Sequence, residues 1–295
     1  MAGPSTAFLE HAASGLTNFS RCWAIRRADG VEYGFTDHDL PLSFEGLTFK
    51  AETGLTAAAL TQSTGLSVDN SEALGALSDA AITEADIEAG RFDGAEVRAW
   101  MVNWADVSVR WLQFRGTIGE MRRAGGAFHA ELRGLTEALN RPLGRIYQKS
   151  CTAVFGDKGC RFDTKTAGFF SELAAERVAD RRILRWAGFA DFDVQWFQRG
   201  RLDILSGDGA GLWGTIKDDR FIGKDRVVEL WEPMRGILEA GTVVRLTAGC
   251  DKRFETCSAK FSNIVNYQGF PDLPGEDWMV RYPKRADANT GGSRR

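Results

Sequence analysis

Four of the five cysteines in this chain of 295 residues fall into two pairs. Cys151 and Cys160 enclose eight residues in CTAVFGDKGC, Cys250 and Cys257 enclose six in CDKRFETC, and 89 residues lie between the pairs. Both pairs stand in loop-like sequence beside Gly and an Asp-Lys, with GDKGC ending one and GCDK opening the other. Thiolates are soft ligands, so four of them suit zinc or an iron–sulfur cluster. The gaps are wider than the roughly two to four residues usual between paired ligands of structural zinc, and they miss the common ferredoxin spacings. Spacing alone says that two loops could converge on one thiolate-binding centre. Two local disulfides or four reduced buried thiols are the bland alternatives. Wide loops would leave room for a bulky cluster, with glycine amides free to donate to its sulfurs. A clip from residue 151 to 257 would close a long loop, where cross-linking stabilises most in theory.

The remaining constellations point less firmly to chemistry. Cys22, next to Trp23, lies in a strand-like run with no feature to lower its pKa, so it reads as a packed small hydrophobe rather than a nucleophile served by His38 or His129. Asp37, His38 and Asp39 stand in TDHDL, but alternate residues of a strand face opposite ways, and a solvated turn is the simpler reading. Gly209, Gly211 and Gly214 form a GxGxxG, yet TIKDDRFIGK follows it with no helical period, so a glycine-rich β turn is expected in place of a nucleotide site. Neither Gly-x-Ser-x-Gly nor His-Glu-x-x-His occurs.

The elements that must position the cysteines read as mainly β. RCWAIRRADGVEYGFTDHDL alternates on either side of Asp29-Gly30 and predicts a hairpin; LPLSFEGLTFKA repeats the device around Glu45-Gly46. Short helices are expected over 5–16, over 83–90 with Gly90 ending it, and over 135–144 with Pro142 closing it. AEVRAWMVNW, VRWLQFRGTIGEM and AFHAELRGL read as long strands, the last two joined at Gly125-Gly126. SELAAERVADRRILRWAG has helical composition, yet its surroundings favour strand from about residue 176. WFQRGRLDILSG, DRVVELWEP and GTVVRLTAGC follow as strands. Turn signals about every 8–12 residues imply an antiparallel β-barrel or sandwich with a few short helices. Two abutting β-rich domains are expected, 1–150 and a cysteine-rich β domain over 151–283, followed by a polar tail over 284–295.

Charge and composition exclude several classes. Lys and Arg number 37 against 40 Asp and Glu, a net charge of −3, so no basic footprint for wrapping DNA exists. The N-terminus lacks the basic start and apolar core of a secretory signal, and no apolar run is long enough to span a membrane. A chain assembled in a reducing bacterial cytoplasm follows, where cysteines read first as metal-binding or catalytic.

The segment from Gly249 onward carries a specific resemblance. Gly249, Cys250, Asp251, Lys252, Cys257, Phe261, Asn263, Asn266, Tyr267, Gly269, Pro271, Pro274 and Gly275 follow the pattern GCDK-x4-C-x3-F-x-N-x2-N-[FY]-x-G-x-P-x2-PG. SGDGAG, ELWEPM, DIEAGRFDGAEVRAWMVNW, TDHDL and RGTIGE extend it over nearly the whole chain. The chain resembles the baseplate hub proteins of gene transfer agents and related prophages, and its C-terminal part is similar in kind to lambda-type tail-tip L proteins. Tyr267 and Asp272 stand where that pattern leads one to expect Phe and His. The resemblance implies a structural protein of the virion tail baseplate, not an enzyme. It implies a homotrimeric ring, built by the N-terminal β-rich hub domain, that joins the tail tube and distal tail protein to a large central tail-tip protein. A tail peptidase is a further partner it implies, with DNA crossing the lumen during ejection. It also implies an iron–sulfur cluster, of the 4Fe-4S type, on Cys151, Cys160, Cys250 and Cys257, with zinc as the alternative metal. Cys22 has no counterpart. A tail-associated zinc- or thiol-dependent cell-wall hydrolase is the alternative function.

Overall fold

The computed structural model describes residues 3–15, 18–51, 55–57, 70–75, 83–124, 127–134 and 144–273. The chain divides into two compact units, Met1–Leu143 and Gly144–Arg295. The helix expected over 135–144 (Gly144 aside), the Gly125-Gly126 turn, Pro274, Gly275 and the tail over 284–295 lie outside the described residues.

The first unit is built on a seven-stranded antiparallel sheet, ordered β2-β1-β7-β8-β9-β6-β5. Its members are β1 (Phe19–Arg26), β2 (Glu32–Thr36), β5 (Leu55–Ala57), β6 (Asn70–Gly75), β7 (Glu96–Asn103), β8 (Arg110–Ala124) and β9 (Ala127–Gly134). A separate hairpin pairs β3 (Leu42–Phe44) with β4 (Leu47–Phe49). Its turn is Glu45-Gly46, both with positive φ (51° and 77°), as a two-residue hairpin with the twist of its strands requires. The near-continuous apolar run of β1 has a direct cause: both faces are covered. Trp23 and Ile25 join Phe35, Phe92 and Phe114 on one side; Cys22 and Ala24 join Phe44, Phe49 and Trp100 on the other. The β3–β4 hairpin supplies that second cover. Phe44 and Phe49 stack at 4.2 Å and meet Trp100 edge-on at 5.5 and 5.7 Å, contacts worth about 0.5–1.5 kcal/mol each beyond area burial.

Two helices flank the sheet strands in sequence. α1 (Thr6–Ala13) starts where the Ser5 hydroxyl accepts the Phe8 N–H, and Phe8 stacks on Phe19 at 4.7 Å. α2 (Glu84–Glu88) is capped by Thr83 and ends before Gly90, whose φ is +73°. Strands β5 and β6 were not anticipated from the sequence.

The second unit holds another antiparallel sheet of seven strands, curled into a half-barrel and ordered β10-β16-β13-β14-β15-β12-β11. These are β10 (Phe170–Ala174), β11 (Arg177–Ala179), β12 (Ile183–Ala187), β13 (Arg201–Ile204), β14 (Trp213–Ile222), β15 (Asp225–Leu230) and β16 (Val243–Thr247). The two edge strands, β10 and β11, are neighbours in the chain, so the curl brings the edges to one place. Trp186 bridges there, its indole N–H donating to the Ala174 carbonyl at 2.8 Å. Leu184, Trp186, Leu202, Ile216, Val228 and Leu246 are among the side chains that fill the interior.

The helical composition of residues 171–188 yields to strand, because Leu184 and Trp186 alternate into this core while Arg185 and Ala187 face out. The strand expected over 196–207 is confined to Arg201–Ile204; Gln195 and Arg199 have positive φ and turn the chain before it. TIKDDRFI, which carries no apolar alternation of its own, makes up all of β14 after its first two residues.

One ion pair lies wholly inside the unit. Arg226 and Asp219 are both 0% exposed and bonded in bidentate fashion, Nε to Oδ1 at 2.8 Å and a terminal nitrogen to Oδ2 at 2.6 Å. Two further guanidinium protons go to the carbonyls of Phe192 and Asp193, both at 2.8 Å. Asp219 also accepts the Phe197 N–H at 2.9 Å. Among the described residues no helix is long and apolar enough to cross a membrane.

Candidate metal centre

The four paired cysteines all belong to the second unit and line one cleft, with Phe155, Phe261, Asn263 and Tyr267 among its other walls. All four are free thiols, so the two local disulfides considered from spacing are not formed. Cys22 sits in the other unit, fully buried on β1, where its thiol donates to the Thr36 hydroxyl at 3.5 Å. Burial pushes that thiol up to about 11, the opposite of what a nucleophile needs.

Each cysteine is placed by specific backbone and side-chain bonds. The Cys151 N–H donates to the Lys252 carbonyl at 2.9 Å, joining the first loop directly to the second. Lys252 returns the connection, its ammonium donating to the Ala153 carbonyl at 2.5 Å. Cys160 stands on a turn gathered by Asp157, whose carboxylate accepts the N–H groups of Val154, Gly159 and Cys160. The Cys160 amide is the main reason that carboxyl is held below its ordinary range. Asn263 then reaches over, donating to the Cys160 carbonyl at 2.7 Å and standing 3.6 Å from its sulfur.

Cys250 follows β16 through a crowded crossing. Gly249 donates its N–H to the Trp196 carbonyl at 3.0 Å, and a Cβ at Gly249 would lie 1.6 Å from the Gln198 carbonyl oxygen. Only glycine fits that approach. Gly249→Ala is therefore expected to destabilise the second unit by about 3 kcal/mol, at the upper end for overpacking, seen as a lower melting temperature. An unchanged melt would show that the two backbones are not in contact.

Cys257 lies on α3 (Phe254–Ala259), a short helix inside what reads from sequence as loop. Asp251 starts it by accepting the Arg253 N–H at 3.0 Å and the Thr256 hydroxyl at 2.9 Å. The motif residues beyond Cys257 fasten the two loops together. Phe261 packs on Phe155, Phe162 and Phe169 at 4.7–5.6 Å. Asn266 donates to the Asn263 side-chain oxygen at 2.7 Å, and the Tyr267 hydroxyl donates to the Lys149 carbonyl at 2.7 Å. A Cβ at Gly269 would meet that same carbonyl at 2.6 Å.

The electrostatics of the cleft disfavour bare thiolates. Burial first, with the neighbouring Cys250, Cys151 and Cys160, raises Cys257 to about 11. Burial also raises Cys250, against the pull of the Lys252 amide and ammonium. Like charges gathered around one cleft repel, so the thiols can ionise together only with a cation among them. Among the described residues no three His, Cys, Asp or Glu side chains are drawn in tightly enough to hold a single ion as they stand. The thiols ring a cleft instead of meeting at a point. Their number, softness and surrounding N–H donors fit a thiolate-ligated group that fills such a ring.

Sequence reasoning missed Lys260 and Trp196. The Lys260 ammonium donates to the carbonyls of Trp196 at 2.6 Å and Gly249 at 3.0 Å, and burial lowers it to about 8. No local signal marks a lysine before Phe261 as buried; only the convergence of three loops does so. None of the other constellations is among the residues that line the cleft. Asp37 accepts the Arg21 N–H at 2.6 Å and His38 Nδ1 accepts the Leu40 N–H at 3.0 Å, so both serve the turn after β2. Gly211, with φ of +85°, turns the chain into β14, and no helix begins there.

Comparison with known proteins bears on both halves of the chain. Residues 5–163 match the family model described as baseplate hub protein, N-terminal attachment domain. Residues 195–277 match the model described as phage conserved hypothetical protein BR0599. A chain in the solved virion of a native gene transfer agent (GTA) particle is 50% identical, with a TM-score of 0.91 over 98% of this chain and 99% of that one. No curated protein matches.

Proposed function

Because the chain belongs to the phage baseplate hub protein family, we propose that it is a structural component of a phage-like or gene transfer agent tail baseplate, with no catalytic role. The observation that carries this reading is the likeness over 98% of the chain, at 50% identity, to a chain of an assembled virion. We infer a homotrimeric ring joining the tail tube and distal tail protein to a large central tail-tip protein, with DNA crossing its lumen. The near-balanced, slightly acidic charge of the chain suits such a passage, since a strongly basic wall would retain the phosphate backbone. A sheet edge adding a strand from a neighbour is one way a β-rich subunit joins an assembly.

The C-terminal lobe carries the second part of the proposal. Cys151, Cys160, Cys250 and Cys257 would hold an iron–sulfur cluster, with zinc as the alternative. Bound there, the group would supply a four-point cross-link between the 151–160 loop and the 250–257 segment. The surrounding residues act on the thiols themselves. The Lys252 amide and the Asn263 side chain donate toward sulfur, Asp157 shapes the turn under Cys160, and the phenylalanines limit water.

Anaerobic purification with assays of iron, acid-labile sulfide and zinc tests the metal. Light scattering of the same sample, alone and with its distal tail and tip partners, tests the ring. Iron and sulfide in cluster ratio and a trimer, alone or on partner binding, are expected. Stoichiometric zinc without sulfide would replace the cluster by zinc. A chain that stays monomeric with both partners would remove the ring.

A further inference from the structure

We propose that Lys260 is the fixed counter-cation of the four-thiolate centre, an inference that rests on the metal reading above. Lys260 caps α3 three residues after Cys257. Its ammonium donates to the carbonyl of Gly249, the residue joined to Cys250, and to that of Trp196. The same nitrogen lies 4.2 Å from the Trp196 ring centre and 5.3 Å from that of Phe261. Among the described residues it makes no ion pair; the carboxylates of Asp251, Asp219 and Asp193 act on it only from beyond ion-pair distance, the first engaged with Arg253 and Thr256 and the second with Arg226.

That environment solvates the ammonium without neutralising it. Carbonyl dipoles and ring faces stabilise a cation, but the charge still requires a nearby anion to offset its burial. Four thiolates around a divalent core leave a net charge of about −2 on the centre, whether that core is zinc or a cluster. A cation held against the backbone of one ligand lowers the cost of that charge, and the carbonyl cage keeps it from swinging out to water. Lys252 also pulls on Cys250 from the cleft wall, but its ammonium is committed to the Ala153 carbonyl, where it ties the two loops. Lys260 thus belongs to the centre as a positioning charge, not as a ligand.

The test compares wild type, Lys260→Gln and Lys260→Arg in the full chain, purified with metal. The readouts are metal lost to a competing chelator and the melting temperature of each protein after metal removal. Gln keeps a donor for the carbonyls and removes the charge; Arg keeps the charge. Gln is expected to release metal roughly 10–100-fold more readily, as outer-shell changes do, with Arg close to wild type and the metal-free melts coinciding. Unaltered retention in Lys260→Gln overturns the proposal. So do equal losses in both variants, or a metal-free melt lowered in step with metal loss, since each describes a steric clamp. Wild-type protein empty of metal overturns the four-thiolate reading and this inference together, whereas loaded wild type with an indifferent Gln variant overturns this inference alone.

Discussion

Replacing Cys257 with Ser is expected to strip most of the metal from the cleft and to free the 151–163 loop from the 249–273 segment, while the curled sheet stays folded. Serine keeps the shape of the side chain but is a poor ligand for a soft metal. Structural zinc binds with an apparent free energy of about 10–16 kcal/mol near neutral pH, so losing even part of that removes a large fraction of a domain's stability. The loss should be local. The sheet has its own core, including Leu184, Leu202, Val228 and Leu246, none of which touches the thiols' cleft. The segments around the cleft are held by the small Phe155, Phe162, Phe169 and Phe261 cluster, the Tyr147–Phe270 and Phe254–Tyr267 contacts and a set of loop-to-loop hydrogen bonds. Metal analysis should fall to a residual level. Hydrogen exchange should accelerate across 151–163 and 249–273 and change little in β12–β16. Undiminished metal would refute the ligand assignment. Cys22→Ala is the matched control, because its thiol bonds Thr36 in the other unit, and its metal content should equal wild type.

The parts of this molecule readable in its sequence are those whose physics is local. Asp29-Gly30 and Glu45-Gly46 announce hairpins because positive φ is needed within two residues of the strands they join. Thr83 and Gly90 bracket α2 by capping chemistry that is equally short-range. Where tertiary packing decides, composition misleads. The run from Ser171 to Gly188 has the Ala, Glu and Arg of a helix, yet it lies at the edges of a sheet whose interior accepts Leu184 and Trp186. Residues 213–222 hide a ten-residue strand because Lys217, Asp218 and Arg220 serve ion pairs with one another and with Glu229, not an apolar face.

The same division runs through the candidate centre. Two cysteine pairs are visible at once, and the structure sets both around one cleft. The means of joining them is not visible, because each bond crosses about a hundred residues: Lys252 to Ala153, Asn263 to Cys160, Tyr267 to Lys149. Asn263 and Tyr267 of the motif therefore act as fasteners between loops, and Asn266 braces Asn263. Short α3 was missed for a related reason, since its start depends on a single side chain, Asp251, reaching the Arg253 N–H and the Thr256 hydroxyl.

The second large effect is expected at Arg226, far from any cysteine in sequence. Arg226→Met should destabilise the second unit by about 3–5 kcal/mol, because it leaves the Asp219 carboxylate buried and uncompensated. Asp219→Leu alone should cost a comparable amount, because it leaves the Arg226 guanidinium buried without its carboxylate. Combining Arg226→Met with Asp219→Leu removes both charges, and buried pairs replaced by apolar side chains are often close to neutral. Recovery here should still be incomplete. Arg226 also satisfies the Phe192 and Asp193 carbonyls, and Asp219 the Phe197 N–H, each costing about 1–3 kcal/mol when buried without a partner. Chemical denaturation of the four proteins gives the coupling directly; additive losses would mean that the pair does not act as a unit. The consequence should reach the thiol cleft. The loop held by this pair carries Trp196, whose carbonyl receives both the Gly249 N–H and the Lys260 ammonium. Releasing residues 192–197 from the core removes the backing of Cys250, so Arg226→Met should also lose metal faster to a chelator at temperatures where the sheet is still folded. Wild-type retention in a destabilised Arg226→Met protein would separate the two sites and confine the ion pair to the sheet.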